Sequence, residues 1–268
     1  DTSEDELTVM KEAGIKKEMQ SALTKEEHDT IRRMRSLSDW IEEIMDINYL
    51  ALEGMNAKIL SDLGERTGVK LRGGCGVPTI PHGSLALFKS VEFSRTVRCI
   101  ETLDLACLGS FGPTDFTRRG ELYFTHQLWV AKHYSALIND TCPAADHRTM
   151  EIHVPLSHFT NVKTWDLKFE DYDYKRLLFY SRSDRKYPRD ISQKRVACGV
   201  IQGPIAHAQD LAFNKMSEWQ QVTEKCLLQE EDTESGETKT AKQYVWLEEA
   251  AIEQLDTDCA GKVYLHRP

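Results

Sequence analysis

Apolar and polar positions alternate most regularly over residues 84–108. Leu85, Leu87, Val91, Phe93, Val97, Cys99, Leu103, Leu105 and Cys107 fall on odd numbers, and Ser90, Glu92, Ser94, Thr96, Arg98, Thr102 and Asp104 on even ones. A period of two predicts strands with one buried face. Lys89, Arg95 and Glu101 break the apolar parity, so the run predicts two or three strands or bulges.

Shorter alternations follow. Leu122, Phe124, Leu128 and Val130 share parity, though 128–138 reads equally as the start of a helix. Met150, Ile152, Val154 and Leu156 alternate with Glu151 and His153, which places His153 on a polar, solvent-facing side. Trp165, Leu167 and Phe169 alternate with Asp166 and Lys168, and Leu177–Tyr180 and Val196–Ile201 are short apolar runs. The connections carry Gly, Pro, Asn or Asp, as hairpin loops do. About six to eight strands without long intervening helices predict an antiparallel sheet, sandwich or partly open barrel, not a doubly wound parallel sheet.

The flanks have a different period. Residues 1–68 are rich in helix formers. Thr24 and Glu27 have capping-box spacing, which predicts a helix start there. Beyond it, Met34, Leu37, Ile41, Ile44, Asn48, Ala51 and Met55 recur at three- and four-residue steps. That stripe spans about three heptads, with Asn48 at a register-setting position. It serves either self-association or packing on the chain's own core. The glycines and prolines of 69–83 end the arm and form a joint. Residues 84–203 form the β-rich body. After Gly203-Pro204, residues 204–268 predict helices on either side of an acidic, apolar-free linker at 230–240. The fold class expected is α+β: an N-terminal helical arm, a central, mainly antiparallel sheet or sandwich, and C-terminal helices.

Charge sharpens this division. The net charge is −9, which argues against a generic nucleic-acid binder. Residues 1–68 carry −7, 69–210 carry +4 and 211–268 carry −6. A basic middle between acidic ends either prevents self-sticking or joins copies head to tail. Seven cysteines, an odd number widely spaced and without Cys-x-x-Cys, predict reduced thiols. No run of about 18 apolar residues and no secretory leader pattern occur. The expected location is intracellular, in cytoplasm or nucleus, or within a virion. The Asn139 sequon is then a chance match.

Tests for chemistry return little. Nucleotide-binding glycine loops and a Gly-x-Ser-x-Gly elbow are missing. Cys75, among glycines with His82 seven residues on, is the one candidate nucleophile, against the plainer reading of a joint with an incidental thiol. Cys142, His147, His153 and His158 lack a paired-ligand knuckle; no metal or cofactor is expected. The most suggestive segment is 172–195, where Lys175, Arg176, Arg182, Arg185, Lys186, Arg189, Lys194 and Arg195 are interleaved with Tyr180 and other aromatics. Cations neutralise phosphates and rings stack on bases or sit at a lipid interface; the plainer reading is a charged hairpin with its rings turned inward. Together these features predict a non-catalytic, self-assembling structural protein, coat- or matrix-like by analogy. Its partners would be itself and RNA, nucleoprotein or an anionic membrane surface. An intracellular adaptor, or an enzyme built on Cys75 and His82, is the alternative.

Overall fold

The computed structural model describes residues 2–63, 79–93, 95–96, 99, 104–110, 115–118, 120–143, 145–183, 185–208, 210–231 and 238–266. Its centre is a seven-stranded sheet with β1 (Ser84–Glu92), β2 (Leu122–Thr125), β3 (His147–Pro155), β4 (Thr164–Asp166), β5 (Val200–Pro204), β8 (Lys242–Trp246) and β9 (Val263–Leu265). The order is β4-β5-β8-β2-β1-β3-β9. Only β4 and β5 run parallel; the other pairs are antiparallel, and β1 and β3 pair along their whole length. The fold class is therefore α+β, mainly antiparallel, with helices before and after the sheet.

Both faces of the sheet are buried, which the alternation along β5 and β8 makes plain. Val200, Tyr244 and Trp246 join a core with Leu87, Ile152 and Leu255, the last from α10 (Glu249–Cys259). Their neighbours Ile201 and Val245 join a second core with Phe116, Tyr174 and Leu178, supplied in part by α7 (Tyr172–Arg182). Gly199, just ahead of β5, lets α10 approach. A Cβ there would lie 2.8 Å from the Val162 carbonyl oxygen and 2.9 Å from the Ala251 Cβ.

The N-terminal arm holds α1 (Thr2–Glu12), α2 (Lys17–Leu23), α3 (Asp29–Arg32) and α4 (Leu37–Leu63). Thr24 ends α2 rather than starting a helix, its hydroxyl donating to the Gln20 carbonyl. The reciprocal cap is instead Ser36 with Asp39. The Ser36 N–H donates to the Asp39 carboxylate, and the Asp39 N–H donates to the Ser36 hydroxyl. Trp40, Ile44, Ile47 and Ala51 of α4 then pack with Val130, Leu137 and Ile138 of α5 (Leu128–Thr141). The arm thus packs on its own chain, the plainer of the two alternatives for the stripe. An α-helix turns every 3.6 residues, so the buried line runs through 40, 44, 47 and 51. Met34, Ile44 and Ala51 lie in the core, Leu37 and Ile41 pack at its edge, and Met55 is exposed. Asn48 donates to the Ile44 carbonyl and accepts from the Cys142 thiol, so its amide serves this chain's own packing.

Other expectations need correction. Within 84–108, only 84–92 is a described strand; Leu105–Leu108 is a single 3-10 turn capped by Asp104. Leu156 opens a short helix, α6 (Leu156–Asn161), Leu177–Tyr180 lies in α7, and Arg189–Val196 forms α8. Residues 210–226 hold one short helix, α9 (Asp210–Lys215), and two 3-10 turns. Around the acidic linker, β6 (Gln229–Glu231) and β7 (Thr238–Thr240) pair as a two-stranded ribbon. His153 is fully buried, its Nε2 2.7 Å from Glu151.

Candidate functional site

The basic segment does not form one open surface. Arg182 is buried; it bonds Asp115 at 2.8 Å and the Ala208 carbonyl at 2.7 Å, with Asp210 beside it. Arg176 makes a bidentate pair with Asp190 and Lys194 pairs with Asp173. Lys175 lies over the Phe169 ring, Arg185 over Phe179 and Arg195 over Tyr187. Tyr180 is half-buried against Phe179. Among the nine predicted residues, Lys186 and Arg189 alone are exposed without an ion pair or ring contact to a described residue. Cys75 lies outside the described residues, and His82 is exposed.

The histidines and Cys142 are also dispersed, each with its own partner. His158 accepts from the Trp246 indole and bonds Asp258, so its proton sits on Nδ1. Asn139 of the sequon clamps His147, donating to its carbonyl and accepting from its N–H. Glu27, His28 and Asp140 bring ligand atoms within 4.8 Å of one another. The Lys25 ammonium already bonds Asp140 there, and the group reads as an ion-pair knot tying the arm to α5.

A different place gathers ionisable groups. Three adjacent strands, β8, β2 and β1, lie beneath α5 and the start of α4, and between them is a recess of about 50 Å³. That would hold roughly four waters, or the head of a carboxylate or phosphate. Lys89 and Ser90 come from β1, Tyr123 from β2, Tyr134 from α5, Gln243 from β8 and Arg35 from the turn before α4. Asp115 and Arg182 complete the lining.

Most of these groups are spoken for. Asp115 accepts from Arg182, from the Ala206 N–H at 2.7 Å and from the Gln243 amide at 2.6 Å. Its charge is balanced, and Gln243 keeps its carbonyl oxygen to offer. Arg35 pairs with Glu43; burial opposes its charge, but that carboxylate keeps it firmly protonated. Ser90 lies 3.1 Å from His147 Nδ1 and accepts from Ser135 at 3.0 Å. Burial, with Arg95 and Lys89 nearby, pushes His147 down to about 3. A base that weak does not activate a serine.

Lys89 stands apart. It is 6% exposed and has neither hydrogen bond nor ion pair among the described residues; its ammonium sits over the Tyr123 ring, 3.5 Å from the centroid. Burial, then the charges of Arg95 and Arg35, lower its pKa to about 7, against a partial pull upward from Glu43. Burial likewise raises Tyr123 to about 12. Comparison with protein-family models, curated proteins and solved structures finds no match. The site therefore rests on its own geometry. The sequence carried one sign of it, Lys89 breaking the apolar parity of its strand. Arg35, Asp115, Tyr123 and Gln243 are far apart in the chain and form no linear motif.

Proposed function

We propose that the protein binds a small anionic molecule in the recess between β1, β2, β8 and α5, and that this recess is its candidate active site. The observation that carries the reading is Lys89, a buried cation that makes no ion pair among the described residues. Leaving an ammonium unpaired inside a protein costs several kcal/mol unless it sheds its proton, and such groups concentrate where a ligand completes them. Arg35 and Arg182 are each held by carboxylates, and Phe88, Tyr123 and Tyr134 give the recess aromatic walls suited to a planar ligand.

This reading takes the place of the expected polyanion surface, of whose cations Arg182 is committed to Asp115, Arg176 to Asp190 and Lys194 to Asp173. A second reading, self-association through α4, is favoured by one observation. Met45, Tyr49 and Leu52 lie on the outer face of that helix and are 63%, 63% and 59% exposed.

Calorimetric titration with inorganic phosphate and with small carboxylates tests the main reading. The expected result is saturable binding, weakened tenfold or more in Lys89→Met with the far-ultraviolet dichroism unchanged. Affinity falls as pH rises above about 7, because an anion selects the protonated ammonium. Equal binding by wild type and variant, or no binding of any anion, overturns it.

A further inference from the structure

Resting on that reading of the recess, we infer that Lys89 is a reactive amine that condenses with an aldehyde or ketone bearing an anionic group. Three features point this way. The Nζ atom lies against the Tyr123 ring and makes no hydrogen bond among the described residues, so no described group ties up its lone pair once the proton leaves. The recess admits a group the size of a carboxylate or phosphate, and excludes bulk water from a side chain that is 6% exposed. Desolvation beside other cations is the setting that holds a lysine neutral and nucleophilic.

The groups facing Lys89 agree. Arg35, ahead of α4, and Arg95, past β1, disfavour its charge, while Glu43 of α4 favours it. Tyr123 and Tyr134, raised by burial, stay neutral; Asp115 is paired with Arg182, and His147 of β3 is neutral. Neutral and charged amine are therefore both populated near pH 7.

In the step, the Nζ lone pair forms a bond to the carbonyl carbon and the C=O π pair moves to oxygen, which takes a proton as the nitrogen loses one. The new hydroxyl takes a second proton and leaves as water while the nitrogen lone pair forms C=N, and the resulting iminium gives up its remaining N–H proton. The two protons gained by oxygen equal the two lost by nitrogen, so one amine and one carbonyl give one imine and one water, with no oxidant or reductant.

The test uses the whole protein with glyoxylate, an aldehyde carrying a carboxylate, and sodium cyanoborohydride, which reduces the imine to a carboxymethyl-lysine that peptide mass spectrometry locates. At pH 7, Lys89 is expected to react on the order of tenfold faster or more than exposed Lys186, because an ordinary lysine is almost wholly protonated there. Inorganic phosphate slows the reaction at Lys89 and leaves Lys186 unaffected. If Lys89 reacts no faster than Lys186 while phosphate still binds by calorimetry, the amine chemistry is wrong and the anion site stands. If Lys89 reacts fast but neither phosphate nor carboxylates bind or protect, the amine chemistry stands without the anion site. If neither occurs, both are wrong. Lys89→Arg separates the roles in the same way: it should keep phosphate binding within a few-fold, and a complete loss contradicts a purely electrostatic part for this residue in binding.

Discussion

At the scale of single residues, two buried cations meet opposite fates. Arg182 has Asp115, two backbone carbonyls and Asp210 around it, and its charge is part of the packing. Lys89 has a ring face, and among the described residues no carboxylate pairs with it directly, Glu43 acting only from a distance. The consequence for stability has a definite sign. Its pKa is about 7 in the folded chain and about 10.4 when unfolded. Between those values the unfolded state binds more protons, so the native state gains stability as pH rises. Below 7 both states are protonated and the full penalty of the buried charge remains. Lys89→Met should therefore be about 1–3 kcal/mol more stable than wild type at pH 6, with the gain fading towards pH 10. Thermal melts across that range check it; a variant less stable at pH 6 contradicts the unpaired-cation picture. The parity pattern of β1 exposed Lys89 as an intruder, but an unpaired ammonium and a strand break look alike in one sequence. Only the tertiary neighbours distinguish them.

At the scale of elements, a helix face and a strand face are legible where the period is long and both sides differ. β1, β3, α4 and α10 meet that condition. Tyr172–Arg182 did not: Tyr174, Leu177, Leu178 and Ser181 are its buried helical face, but the run Leu177–Tyr180 is too short to separate a helix from a strand. The heptad reading of α4 shares Ile44 and Ala51 with the buried line but takes Ile41 and Asn48 where Trp40 and Ile47 are buried. That line makes a direct prediction. Ile44→Ala should destabilise by about 2–5 kcal/mol, whereas Met45→Ala on the outer face should change stability by less than about 0.5 kcal/mol. Urea denaturation of the two variants decides; equal effects would mean that the stripe on 40, 44, 47 and 51 does not hold the arm to α5. Ser36→Ala should remove about 1 kcal/mol, since Ser36, not Thr24, starts the long helix.

At the scale of the whole molecule, the fold gathers the residues of the recess at the middle of the sheet. The strands β8, β2 and β1 are neighbours in space although Lys89, Tyr123 and Gln243 are widely separated in sequence, which is why the fold class was readable and the site was not. No described helix is long and apolar enough to cross a membrane. The outer face of α4 gives the remaining test of assembly. If it joins two copies, the solution mass exceeds 30.7 kDa and returns to that value in Tyr49→Ser with Leu52→Ser; a monomer at high concentration removes that reading. The claim on which the rest depends is that Lys89 is a buried cation waiting for an anion. Nuclear magnetic resonance of lysine ε-amines, titrated over pH with and without inorganic phosphate, measures it directly. The account predicts one lysine with a pKa near 7, absent in Lys89→Met, whose pKa climbs when phosphate is added. An ordinary value of about 10.4 for every lysine, unmoved by phosphate, would contradict it.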